Sequence, residues 1–376
     1  MQPPVIPIVG EWTRDNPGTI SLGQGVVSWG PPDTAYEGID RFREDVENHK
    51  YKLAQGIPPL LELIGEKLKE ENGIHVDPKD RVFVTAGANM AFINAILAIT
   101  DPGDEIILPA PYYFNHEMAV TMLGCRPVIA PTLDNHQLDL VALRSAITER
   151  TRAIVTISPN NPSGAIYSEE SIKGLAALLY RKQSEHGTEI FIISDEPYKR
   201  IIFDRMRFPQ VLPHYDNSMV VTSHAKDLAL PGERIGYIAV NPNYKDRDEL
   251  SSGLAFCNRT LGFVNAPALM QHIVRNLQDV SVDAGYYEKK RDYLCKNLWD
   301  LGYDVVQPQG AFYLYPKAPI EDDVVFCRTL LNSNVLVVPG RGFGTPGYFR
   351  ISYCVEDWVL EGAVKGFAKA LAAPTE

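Results

Sequence analysis

The feature that most limits what this chain can fold into is a rhythm that begins near Arg81. Short apolar or β-branched runs follow one another: RVFVT, EIILPA, RPVIAP, AIVTIS, EIFIISD and MVVTSHA. Helix-compatible segments, among them 89–100, 138–149 and 169–186, lie between several of them. Alternation of this kind predicts an α/β fold with a mostly parallel, doubly wound sheet. The runs are continuously apolar, as strands covered on both faces are. After about residue 240 the pattern changes. Apolar spacing predicts a long helix over 265–301, then short strands in FYLYP, VLVVP and YFRISY, and a last helix near 355–371. A smaller α+β unit is therefore expected. The 376 residues exceed one ordinary core. The expected division is an N-terminal segment 1–45 that joins the small unit, a large unit 46–260, and a small unit 261–376.

Composition narrows the function. The formal charge of −11 argues against a nucleic-acid partner, which needs a cationic surface. The five cysteines are far apart, odd in number and never spaced as C-x-x-C, which favours a reducing compartment over disulfides or zinc. The N-terminus MQPPVIPIVGEW lacks the pattern of a secretory signal, and the longest apolar stretch, 90–99, is too short to span a bilayer. A cytoplasmic protein with no membrane or nucleic-acid partner is expected.

In such sheets ligands bind beyond the carboxyl ends of the strands. The residues that close each run are unusually polar. Asp195 ends FIISD, with Tyr198 three residues on; singly, a helix cap and a half-buried tyrosine would explain them. Lys226 follows MVVTSHA. A lysine at a buried strand end is costly without a task, and in a dry or cationic pocket it becomes a Schiff-base nucleophile. Ser223 precedes it by three residues and Arg234 follows by eight, a hydroxyl and a guanidinium suited to a phosphate dianion beside Gly232 and Gly236. In VTAGANMAF, the N–H groups of Gly87, Ala88 and Asn89 open a helix and can cradle a phosphate, although many α/β turns look the same. Asn161 stands before a Pro-Ser-Gly turn, Tyr113 in APYYFNHE is a candidate stacking ring, and Arg350 in YFRISY is a strand arginine in want of a carboxylate. An amine, a carboxylate and a phosphate cradle together suit pyridoxal 5'-phosphate (PLP). The carboxylate keeps the pyridine nitrogen protonated, and Tyr198 and Asn161 can donate to the ring's phenolic oxygen.

The sequence resembles the class I/II aminotransferases of PLP fold type I over roughly residues 21–372. The motifs that carry the resemblance are S-x-x-K at Ser223–Lys226 followed by G-x-R-x-G around Arg234, D-x-x-Y at Asp195–Tyr198, and N-P-S-G beginning at Asn161. The resemblance implies that Lys226 forms the Schiff base and then acts as the general base. It also implies that Gly87–Asn89 hold the phosphate, that Tyr113 stacks on the ring, and that Arg350 and the backbone of Gly25 bind the substrate carboxylate. It makes Tyr51 the tyrosine that reaches the neighbouring subunit's phosphate, hence a homodimer. The implied reaction is ping-pong transfer of an amino group from an L-amino acid to a 2-oxo acid.

The chain also departs from the family. The stacking position, often tryptophan, is Tyr113, and GIPPLLELI lacks an arginine usual there. Some aspartate-specific members hold the distal carboxylate with a lysine where this chain has Asn89. GQGVVSW and APYYFN look like a branch that includes plant enzymes acting on aromatic amino acids and methionine. An aromatic, methionine or other neutral donor is therefore expected. A strict aspartate enzyme and a β-lyase on cysteine-type substrates are the alternatives, and decarboxylation is disfavoured because Arg350 would retain the carboxylate. Trp29 is read either as a lining residue of the side-chain pocket or as packing at the hinge. Arg341 in VPGRGFG is read either as a second anion contact or as an exposed charge. A ligand-sensing regulator would need a DNA-binding module longer than the N-terminal extension of about 20 residues. GRGFG lacks the following helix and acidic residue of a dinucleotide fingerprint.

Overall fold

The computed structural model describes residues 5–372. Its centre is a seven-stranded sheet of β1 (Val82–Thr85), β2 (Glu105–Ala110), β3 (Arg126–Pro131), β4 (Thr151–Ile157), β5 (Phe191–Asp195), β6 (Ser218–Ser223) and β7 (Gly236–Val240). The order across the sheet is β1-β7-β6-β5-β4-β2-β3. β7 runs antiparallel to both its neighbours, and the other pairs are parallel. The α/β sheet expected from the rhythm is present, and each expected run in it is a strand. The additional strand is β7, wedged between β1 and β6.

Successive residues of a strand point to opposite faces, and both faces are covered. In β2, Ile106 and Leu108 pack in a cluster with Ala91, Phe92 and Ala95 of the helix Ala88–Ile99. Ile107 between them packs with Leu175 and Leu179 of the helix Glu169–His186. That second helix begins where the Ser168 hydroxyl accepts from the Ser171 N–H, and it ends at Gly187 in the left-handed region, φ 66°.

The long helix expected over 265–301 is instead two, Ala268–Arg275 and Ala284–Asp300. Tertiary hydrogen bonds claim the backbone between them. Arg200 donates to the carbonyls of Gln278 and Val280, and the Val282 N–H donates to the carbonyl of Asp227. Asp283 then caps the second helix through the Gly285 N–H.

The break separates residues that pack in two different cores. Ala266, Met270, Ile273 and Leu277 pack with Leu60, Val82 and Val84, on the large sheet. The second core gathers Tyr287 and Leu294 with Phe312, Phe349, Phe367 and, from the N-terminal segment, Leu22 and Val27. Its strands are Tyr313–Leu314, Phe349–Ser352 and Val338–Pro339, antiparallel, with Ile20–Ser21 paired in parallel to Val335–Leu336. The N-terminal segment is itself divided, since Ala35 packs with the large sheet. Among the described residues no helix is long and apolar enough to cross a membrane, and no group of side chains could hold a metal ion.

Candidate active site

A cavity of about 470 Å³ opens where β4, β5 and β6 end, closed on its far side by the second unit and by the segment that carries Gly23 and Gly25. Its geometry follows from what each strand end delivers.

At one end stands the turn after β1. Gly87 has φ 83°, which glycine adopts without strain, and the helix Ala88–Ile99 starts directly after it. The guanidinium of Arg234 faces this turn, and a Cβ on Gly87 would come within 2.5 Å of its Nη2. Arg234 itself is held at φ 54° and donates to the Pro231 carbonyl at 2.9 Å. Ser223 closes β6 beside them and accepts from the Ala225 N–H. A helix N-terminus, a hydroxyl and a guanidinium converge here on one anion-sized place.

Lys226 occupies the middle. Its Nζ donates to the Gly25 carbonyl at 2.6 Å and lies 5.7 Å from the centre of the Phe312 ring. Burial lowers its pKa to about 8. Cys354 acts in the opposite sense, and the charges of Arg350 and Arg234 add to the lowering. The amine is therefore neutral in an appreciable fraction of molecules near neutral pH.

Asp195 lies on the floor, 4% exposed. Its Oδ2 is 3.0 Å from His116 Nε2, and its Oδ1 has no partner. His116 comes from the helix Phe114–Met122 and packs on Phe92 at 4.2 Å between ring centres. Sequence reasoning passed it over, although it sits three residues after Tyr113, one helical turn on. Tyr113 precedes that helix, meets the His116 ring edge-on at 5.5 Å, and accepts a hydrogen bond from the Asn115 amide. Tyr198 shares a 2.9 Å hydrogen bond with Tyr313, a cavity residue that sequence reasoning also missed. Burial holds both phenols well above the ordinary tyrosine range.

At the other end is Arg350, buried on the strand Phe349–Ser352. Its Nη1 donates to Asn161 Oδ1 at 2.9 Å and its Nη2 to the Gly23 carbonyl at 2.7 Å, while Nε has no partner. The rings of Tyr313 and Phe343 lie 4.9 Å from the guanidinium carbon. No acidic side chain among the described residues pairs with it. A buried guanidinium held by neutral acceptors is a standing site for a carboxylate.

The cavity thus brings together Gly25, Ala88, Asn89, Tyr113, Asn161, Asp195, Tyr198, Ser223, Lys226, Arg234 and Arg350, with Gly87 in the adjoining turn. Three singled-out residues lie elsewhere. Tyr51 is 87% exposed and outside the cavity of its own chain. Trp29 is not a lining residue. Its ring is wedged against Tyr286 and Tyr287 at 5.1 and 4.9 Å, which makes it packing of the second core. Arg341 is no second anion contact, since Asp322 and Asp323 hold it at 2.8 and 2.9 Å.

The chain is similar to known proteins over nearly its whole length. The family model described as aminotransferase class I and II matches residues 17–367. A probable aspartate/prephenate aminotransferase of Aquifex aeolicus is 34% identical, covering 94% of this chain and 91% of that protein. Aromatic-amino-acid aminotransferase 2 of Thermococcus litoralis is 29% identical, covering 94% and 92%. Among solved structures, an amino transferase from Eubacterium rectale superimposes with a TM-score of 0.92 at 36% identity, covering 98% of this chain and 94% of that one. These similarities give the β-lyase alternative no support.

Proposed function

Since the chain belongs to the class I and II aminotransferases and is, with them, a PLP-dependent transaminase, we propose that Lys226 is the amine that bears the cofactor and that Arg350 receives the amino acid. The observation that carries this is Lys226 itself, an amine of lowered pKa placed in one cavity with a half-open aspartate and an arginine that lacks an acid. The residues present fit PLP. The unpartnered Oδ1 of Asp195 suits a protonated ring nitrogen, and the close approach of Arg234 to Gly87 leaves a backbone cradle that any side chain at 87 would fill.

Bound there, PLP supplies an aldehyde for the amine and a ring that draws electrons from the substrate's Cα. The chain supplies the rest. Arg234, Ser223 and the N–H groups at 87–89 would hold the phosphate. Tyr113 would stack on the ring. Asp195, kept in place by His116, would hold the ring nitrogen's proton, and Tyr198 and the Asn161 amide would donate to the phenolic oxygen. Arg350 and the Gly25 backbone fix the amino acid by its carboxylate. Lys226 would take the proton from the substrate's Cα and hold it for return. Transfer to a 2-oxo acid retraces these steps, which makes the kinetics ping-pong.

The donor we propose is an aromatic or other neutral L-amino acid. Val26, Phe114 and Met118 line the cavity, and Asn89 stands at the helix start. Aspartate is the second reading, carried by the relatives' own names. Tyr51 lies on a segment with exposed Leu53, tied through Ala54 and Lys52 to Asn258 and Asn265, near exposed Phe256 and Phe263. We propose that a second copy covers this face and receives Tyr51 at its phosphate end; a monomer in solution would remove that reading. The five unpaired cysteines support a cytoplasmic location.

The test has two parts. With PLP the wild-type chain acquires a visible absorption band that borohydride makes permanent. Lys226→Ala lacks the permanent label and turns over about 10²–10⁴-fold more slowly; turnover at the wild-type rate would end the proposal. A donor screen of phenylalanine, tyrosine, methionine and aspartate against 2-oxoglutarate then decides the class, and a strong preference for aspartate would reverse the neutral reading.

A further inference from the structure

Behind the cavity floor lies a second layer of charge that the reaction just described does not use. Four cavity residues are each followed directly by a residue that turns the other way, into a small void of about 10 Å³. Glu196 follows Asp195, Lys199 follows Tyr198, His224 follows Ser223, and Asp227 follows Lys226. All four are buried. Lys67 of the helix Pro58–Asn72 lines the same void, with Arg200 and Tyr237. Pro197 and Ser223 border both spaces, so a single side chain's thickness separates them.

The layer is knit to the strands that present the reacting groups. Lys199 Nζ lies 2.7 Å from Glu71 Oε2 and 3.6 Å from Glu196 Oε2. The Glu196 N–H donates to the Val221 carbonyl, and its own carbonyl accepts from the Thr222 hydroxyl, so this one residue staples β5 to β6 beside Asp195. Asp227 holds the segment before Ala284 through its carbonyl. Its carboxylate stands 3.7 Å from His224 Nδ1, beyond hydrogen-bond reach.

Three cations, Lys67, Lys199 and Arg200, face three acids, Glu71, Glu196 and Asp227. Burial pushes Glu196 up to about 7 against the pull of Lys199, and burial with Lys199 and Arg200 brings Lys67 down to about 8. Apolar side chains would fill this volume at less desolvation cost, so an ion network here is poorly explained by stability alone. Glu196, Lys199, His224 and Asp227 share backbone with the residues proposed to touch the cofactor and substrate. A shift of one side therefore moves the other.

We propose that this layer positions the reacting groups, with Lys199 as its hub. The pairs of Lys199 with Glu71 and Glu196 fix the turn that aims Asp195 and Tyr198, and the bond from the Val282 N–H to the Asp227 carbonyl fixes the loop that aims Lys226. The inference rests on the assignment of Lys226 and Asp195 made above.

The experiment compares Lys199→Met, Lys199→Arg and the double variant Lys199→Met/Glu71→Gln as cofactor-loaded enzymes. It reads the pH midpoint of the resting enzyme's visible absorption, kcat and KM separately, and Tm. Lys199→Met is expected to lower kcat about tenfold or more with KM nearly unchanged, and to move the absorption midpoint by about half a pH unit or more. Lys199→Arg recovers both in part. The double variant removes opposite charges together, so it regains Tm and keeps the shifted midpoint, which preserves the test where the single variant folds poorly. A folded Lys199→Met or double variant with lowered Tm but wild-type midpoint and kcat would overturn the proposal, because a purely structural layer behaves that way. A wild-type chain that gains no visible band would instead overturn the assignment of Lys226, and this proposal with it.

Discussion

The two ends of the cavity are both cationic, yet they are built differently. Arg234 and everything around it, the Gly87 turn, Ser223 and the Pro231 carbonyl, belong to the large sheet and its loops. Arg350 stands on a strand of the second unit and reaches Asn161 after β4 and Gly23 of the N-terminal segment. An anion at the first end would touch one body; an anion at the second would meet residues held by three segments from two cores. The first arrangement suits a resident that stays through many turnovers. The second suits a visitor that comes and goes with each turnover.

This contrast can be broken by exchange of the two charges. Arg350→Gln is expected to lower kcat/KM for the amino acid about 10²–10³-fold while the chain still retains PLP. Arg234→Gln should do the reverse, weakening PLP retention in dialysis about 10–100-fold with the amino acid's KM nearly unchanged. Loss of the same parameter in both variants would show that the ends are not distinct. The smallest effect sharpens the comparison through Lys226, which feels both arginines. Its amine attacks only when unprotonated, so capture of PLP by the cofactor-free chain should speed up as pH rises and level off above about 8. Removal of a nearby cation raises the amine's pKa. The levelling point should therefore move to higher pH in both variants, and further in Arg350→Gln, whose charge acts more strongly on the amine.

The parallel core was legible because its strands are continuous apolar runs whose covering helices carry local signals, such as the Ser168 cap and the terminal Gly187. The residues at the strand ends were legible because an amine, a carboxylate and a guanidinium are conspicuous beside such runs. What escaped depends on distant partners. β7 is a short run opened by glycine, and its reversed direction is fixed only by pairing with β1 and β6. The break at 276–283 contains no glycine or proline; Arg200 and Asp227 make it from elsewhere in the chain. Trp29 was ambiguous because an aromatic residue near a cleft reads alike whether it faces substrate or core. His116 and Tyr313 become visible only when a helix and a strand from separate parts of the chain meet at Asp195 and Tyr198.

The back-to-back placement of neighbours in 195–199 and 223–227 constrains the length of those segments more than their composition. An exchange of one residue there alters one side of the floor. A single inserted or deleted codon would turn the floor inside out, presenting Glu196 to the ligand and sending Asp195 into the ion network. Such changes should be far rarer in the ancestry of this chain than replacements at the same places.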